Sequence, residues 1–145
     1  MTTVTMEVNR PAPAVFAYAT DPTTFHEWQQ GVTSGTLESH GTPQLGDRCL
    51  TVRHIGGARR PSTSELVRFD PPRAWSVRGI DGPIRTRVDV TVEPLSDSRS
   101  RLAIAVDFDG HGLGRLLVPL VVRRQARGEM PENLARLKQR VEARL

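Results

Sequence analysis

Two apolar periodicities divide this chain. Over residues 2–9, and in several segments between about 32 and 108, apolar side chains recur at every second position. Near the end, Met130, Leu134, Leu137, Val141 and Leu145 recur at spacings of four, three, four and four. Period two describes a strand with one face turned to a core, and the second spacing describes a helix with one apolar stripe. Neither can bury its apolar side alone. Sheet and terminal helix must therefore cover each other, which predicts an α+β domain in which a curved antiparallel sheet wraps around a long C-terminal α-helix.

Strands are expected at 2–9, 32–39, 47–55, 61–69, 74–79, 85–93 and 100–108, punctuated by Gly and Pro. Val88, Val90 and Val92 share one face, as do Leu102, Ile104, Val106 and Phe108. Two short helices follow the first strand. "RPAPAVFAYATDP" carries prolines at its entry and stops before Pro22, and Thr23 to Trp28 has Asp21 or Thr23 as cap and Gly31 as exit. Leu113, Leu117 and Leu120 form an earlier segment of the terminal stripe. Pro119 and Pro131, with Gly128 between them, predict a kinked or broken helix. "GHGLG" at 110–114 reads as the hinge into it and lacks the dinucleotide-binding pattern. No repeat or linker divides the chain, so residues 1–145 are expected to form a single domain, long enough to bury about 70% of its extended surface around one core.

Composition excludes several functions. Cys49 is the sole cysteine, so no internal disulfide can form, which fits a cytoplasmic location. It is expected to be an inert packed thiol. The start lacks the basic opening and apolar stretch of a secretory signal, and "LLVPLVV" at 116–122 is far short of the roughly 20 residues that span a bilayer. From Arg115 onward eight basic residues face three acidic ones, a net of +5, against −1 for the remainder. Any acidic partner would be met there, but no interleaved aromatics or nucleic-acid motif accompany the charge, and nucleic-acid binding is not indicated.

His26, His40, His54 and His111 are scattered with no acid or cysteine at metal-ligand spacing, so no metal is expected. No nucleophile elbow and no phosphate cradle occur, and no cofactor is expected. "RTRVDV" at 85–90 predicts an exposed Arg85, Arg87, Asp89 ladder opposite the valines. A symmetric hairpin through "IGGARRP" would pair 54 with 61, 52 with 63 and 50 with 65. Leu50, Val52, His54, Thr63, Glu65, Val67 and Phe69 would then share one face, taken as the inward one. Glu65 would lie about 13 Å from His54, too far for a direct hydrogen bond.

The element order resembles the polyketide cyclase/dehydrase branch of the START-like (SRPBCC, Bet v 1-like) superfamily. So do the segments "RPAPAVFAYATDPTTFHEWQQGV", "GDRCLTV", "ELVRFDPPRAWSVR", "GP" at 82–83 and "NLARLKQRVEARL". The resemblance covers nearly the whole chain and implies the helix-grip fold shared with the major birch-pollen allergen and lipid-transfer domains. It also implies that Trp28 packs where helix, sheet and cavity meet, with Phe25 one turn away and His26 and Glu27 directed elsewhere. The implied ligand is a small hydrophobic molecule, aromatic or polyketide-like. Its expected lining is Trp28, Val52, His54, Val67, Trp75, Val77, Val90, Phe108, Leu117 and Val121. Two alternatives stand beside binding. One is a cyclase or dehydratase that positions a poly-carbonyl substrate, with His54 as acid/base and Glu65 as a weaker candidate. The other is an interaction module using the basic terminal helix. Monomer and homodimer are both open.

Overall fold

The computed structural model describes residues 2–55, 57–82, 84–110 and 123–144. Seven strands form one antiparallel sheet: β1 (Thr2–Val8), β2 (Val32–Leu37), β3 (Arg48–Ile55), β4 (Ala58–Asp70), β5 (Ala74–Gly79), β6 (Ile84–Ser96) and β7 (Arg99–Gly110). From β2 to β7 each strand pairs with its neighbour in sequence. β1 crosses to the far edge and pairs with β7, giving the order β1-β7-β6-β5-β4-β3-β2. All seven expected strands are present.

Between β1 and β2 lie α1 (Ala12–Ala19), a single 3-10 turn (Pro22–Thr24) and α2 (Phe25–Trp28). Pro11 enters α1 with an extended backbone, and Pro13 falls in the first turn, where a missing N–H costs nothing. Asp21 caps the turn, its Oδ1 accepting from Thr23 N at 3.0 Å. Gly31 redirects the chain at φ +84°, a left-handed conformation suited to glycine.

The long helix α3, Arg123–Ala143, lies against the sheet. Its stripe of Met130, Leu134, Leu137 and Val141 is buried together with Val8, Val15, Leu66, Val90, Val92, Leu102 and Ile104. Each such aliphatic side chain stabilises the fold by about 1.5–3 kcal/mol. Leu145, Pro119 and the earlier leucine segment lie outside the described residues. Of the kink or break expected at Pro131, a break is not found, since α3 runs through it. Pro131 is exposed, so the carbonyl left without a helical partner lies on the side where water can serve it.

Polar clips fix the C-terminal half of α3. Lys138 Nζ donates to the Glu7 carbonyl at 2.9 Å and to Glu142 Oε2 at 2.8 Å, and Asn9 N donates to Glu142 Oε2 at 2.8 Å. Side chains of α3 thereby occupy backbone groups along β1, an edge strand that would otherwise offer them to another chain.

The β3–β4 hairpin is tighter than expected. His54 pairs with Arg59, Val52 with Pro61, Leu50 with Thr63 and Arg48 with Glu65, two residues off the symmetric register. A shift of two keeps the same residues on a shared face, but that face is the outer one. Inward-facing positions run instead from Val32 through Arg53 and from Leu37 through Cys49 to Ser64. Cys49 and Val32 belong to the core, whereas Leu50 is 44% exposed. Bulges between Val32 and Ser34 and between Leu66 and Arg68 then shift parity within β2 and β4, so that Leu66 and Phe69 both face the core side. The exposed ladder is present, with Arg87 Nε 3.2 Å from Asp89 Oδ2.

Candidate ligand-binding site

The inner face of the sheet is chemically divided. On β1, β5, β6 and β7 it is apolar: Trp75, Val77, Val90, Val92, Leu102 and Ile104 are buried, with Val4, Val88, Val106 and Phe108 half-buried beside them. On β3 and β4 the same face carries Thr51, Arg53, Ser62 and Ser64. Thr51 Oγ1 and Ser62 Oγ lie 3.1 Å apart, and Ser62 is exposed. Nonpolar contact and hydrogen bonding are therefore available from opposite halves of one surface.

An aromatic group sits beneath it. Phe25 and Trp28 meet edge to face with ring centroids 5.7 Å apart, and Phe25 meets Trp75 likewise at 6.2 Å. These spacings are typical of favourable aromatic pairs. Phe25 and Trp28 are core residues, His26 is exposed, and Glu27 turns to the other side of α2. The buried hydroxyls and carboxylates of this region are satisfied: Thr24 Oγ1 donates to the Tyr18 carbonyl, Ser100 Oγ to the Arg10 carbonyl, and Ser39 Oγ to Asp47 Oδ1. Trp28 Nε1 is not, and with Arg10 Nε it stands as a buried side-chain nitrogen without an acceptor. A buried donor left unpaired costs about 1–3 kcal/mol, so it calls for a polar group that the described residues do not supply.

Arg53 closes the same end. Its Nη2 donates to Gln29 Oε1 at 3.1 Å, and Gln30 N, one residue on, donates to Asn133 Oδ1 of α3 at 3.0 Å. Burial pulls the Arg53 pKa below its ordinary value, and the nearby charge of Glu129 on α3 only partly offsets this. Cys49, buried two positions beyond Thr51 on the same face, has its thiol pushed up to about 11 by burial, against a hydrogen bond with Ser64 that pulls the other way. It is an inert thiol at neutral pH.

The residues expected at the site divide between the two faces. Trp28, Trp75, Val77 and Val90 are in the core and Phe108 lies against it. Val52 is buried but apart from the core cluster, on the outer face between Ser34 and Pro61. Val67 is half-buried in the β4 bulge, outside that cluster. His54 is exposed on the outer face. Glu65, on that face too, has a carboxylate 3.9 Å from Arg78 Nη2. It lies opposite Arg48, six positions along β3 from His54 and about 20 Å away at strand spacing, so the two do not meet. Leu117 and Val121 lie outside the described residues. Among the described residues no group of three or more His, Cys, Asp or Glu could hold a metal, and no helix is long and apolar enough to cross a membrane.

Arg53, Thr51 and Gln29 escaped sequence reading because a charge in a strand reads as outward. The available signal was Cys49, a small apolar residue of the same parity as Arg53.

Beside the site, Tyr18, Glu27 and Arg144 join α1, α2 and the end of α3. Tyr18 Oη donates to Glu27 Oε1 at 2.9 Å, Arg144 Nη2 donates to the same oxygen at 3.0 Å, and the guanidinium stacks 4.4 Å from the Tyr18 ring centroid. Burial, and then the hydrogen bond to Glu27, push the Tyr18 phenol up to about 12. The hydrogen bond from Tyr18 holds the Glu27 carboxyl below its ordinary value, with help from Arg144. The phenol's contribution to stability is thus intact below pH 10 and lost as pH rises toward about 12. That of Glu27 is present above about 4.5 and lost as pH falls through its lowered value. Tyr18 is the sole tyrosine, so phenolate absorbance near 295 nm should show a single midpoint near pH 12, moving down in Glu27→Gln. A midpoint near 10 in the wild-type chain would mean the contact does not form.

The chain matches, over residues 1–142, the family described as polyketide cyclase / dehydrase and lipid transport. No protein among the curated ones matches it. Among solved structures it is similar to the Zhui aromatase/cyclase from Streptomyces sp. R1128, at 15% identity and TM-score 0.80, covering 97% of this chain and 92% of that one. It is similar as well to a START superfamily protein from Mycobacterium smegmatis, at 16% identity and TM-score 0.77, covering 97% and 96%. A third likeness is to the di-domain ARO/CYC StfQ of the steffimycin biosynthetic pathway, at 16% identity and TM-score 0.74, covering 98% of this chain and 45% of that one. At such identities these structures establish the helix-grip fold. With the family match across nearly its whole length, the chain belongs to the polyketide cyclase/dehydrase and lipid transport family.

Proposed function

We propose that this protein binds a small amphipathic molecule, apolar over most of its surface and bearing oxygens along one edge, between the sheet and α3. The observation that carries this reading is the divided inner face, with its valines and aromatics on β5–β7 and its row of Thr51, Arg53, Ser62 and Ser64 on β3–β4. A core that only had to be filled would gain nothing from the Arg53 charge in that row, because charge opposes burial. The unpartnered Trp28 Nε1 supports the same reading, since a ligand oxygen would satisfy it. Family membership is in keeping with a hydrophobic, aromatic or polyketide-like ligand. His54 and Glu65 face away from this space, so the proposal gives them no catalytic part.

Trp28 and Trp75 are the only tryptophans, and both are core residues. Titration with a hydroxylated anthraquinone such as alizarin should therefore quench intrinsic fluorescence saturably. Trp28→Phe should weaken binding about 2–10-fold, as for the loss of one hydrogen bond of ~0.5–1.5 kcal/mol. Quenching that stays linear up to the solubility limit would refute the reading.

A further inference from the structure

Arg53 offers more donors than the described residues use. Among the described residues its guanidinium makes one hydrogen bond, to Gln29 Oε1 at 3.1 Å, out of five N–H groups. It lies on the inward face of β3, opposite Val32 of the core on one side and Arg60 on the other. Glu129 is the acid whose charge acts on it from α3. Arg53 is half-buried, which leaves part of its guanidinium open to a further partner. Thr51, two residues back on the same face, adds a hydroxyl within the row. Trp28, whose indole N–H is buried and unpaired, immediately precedes the Gln29 that holds Arg53.

We infer that the polar end of the ligand is a compact oxyanion, a carboxylate carried on an apolar ring system, and that Arg53 is its receptor. The inference rests on the binding reading above and specifies the class of molecule. A carboxylate matches the fork of a guanidinium with two parallel hydrogen bonds, which a neutral carbonyl or hydroxyl cannot do. The valine and aromatic half of the face takes the ring system.

The test compares 2-naphthoate with methyl 2-naphthoate, which share a ring system and differ in charge, by tryptophan quenching in wild type, Arg53→Gln and Arg53→Lys. The wild-type protein should bind the acid about 10–100-fold tighter than the ester, the range for charge-assisted hydrogen bonds. Arg53→Gln should erase that preference, weakening the acid about 10–100-fold more than the ester, and Arg53→Lys, which keeps charge without the fork, should retain part of it. Melting curves confirm that each variant is folded, and the lysine variant carries the test if the glutamine variant is not. Equal affinity for acid and ester in wild type, or a preference that survives Arg53→Gln, overturns the oxyanion assignment and leaves the binding reading standing. Failure of both probes to bind overturns both.

Discussion

Leu137→Ala is expected to lower the free energy of unfolding by about 2–5 kcal/mol, the cost of deleting a buried leucine and leaving a cavity. Leu137 is 0% exposed at the middle of the α3 stripe, with Leu134 and Val141 each at 1% on either side. Among the described residues the sheet has no second sheet to pack on, and its apolar face is covered by α3 and the two small helices. Against a total stability of about 5–15 kcal/mol, the loss is large enough to populate the unfolded state at physiological temperature. Urea unfolding followed by circular dichroism would measure it as a lower midpoint at unchanged slope. Leu45→Ala, at a position 67% exposed, should stay within about 0.5 kcal/mol. A cost below ~1 kcal/mol at Leu137 would mean that α3 does not close the core.

Gly35→Ala is expected to cost about 1–3 kcal/mol by the opposite mechanism, overpacking. A Cβ at Gly35 would stand 2.3 Å from the carbonyl oxygen of Pro22 and 3.0 Å from its carbonyl carbon. These are backbone atoms of the 3-10 turn and cannot swing aside as a flexible side chain would, so β2 and the turn must separate. Because α2 follows that turn directly, the Phe25, Trp28 and Trp75 contacts should loosen too, and the tryptophan emission should shift to the red. Gly41→Ala, where an added Cβ meets nothing within 4 Å, should leave thermal unfolding unchanged or slightly raised. If the two alanine variants melt alike, the close approach of β2 to the turn is not real.

The order of elements could be read from sequence because it rests on strong, redundant signals. The valines of β6, the Leu102 to Phe108 alternation of β7 and the Met130, Leu134, Leu137, Val141 stripe each contain several large apolar residues agreeing on one face, and all are on the core side. The nearness of Phe25 to Trp28 was implied by the family resemblance, and the two rings do meet. β3 was not legible, because in "RCLTVRHI" both parities carry apolar residues. Leu50 and Val52 are larger than Cys49, yet it is Cys49 that belongs to the core. The bulges in β2 and β4 removed the second check, since an extra residue breaks the count by which one strand's parity confirms its neighbour's. The candidate site was therefore seen by its apolar half, Trp28, Trp75, Val77, Val90 and Phe108. Its polar half, Arg53 with Thr51, Ser62 and Ser64, became visible only with strand register in hand.

The place of β1 at the sheet's far edge has a consequence for biosynthesis. Thr2–Val8 leaves the ribosome well before its strand partner, Ser100–Val106, is made. At about 5–20 residues per second, the strand waits for roughly 5–20 s with no sheet to join. During that interval Val4, Met6 and Val8 are free to find other partners, whereas β2 to β7 can zip successively through neighbouring hairpins as each emerges. Threonines at positions 2, 3 and 5 and Glu7 interleave those apolar residues, so the waiting segment is soluble enough to be made long before it is placed.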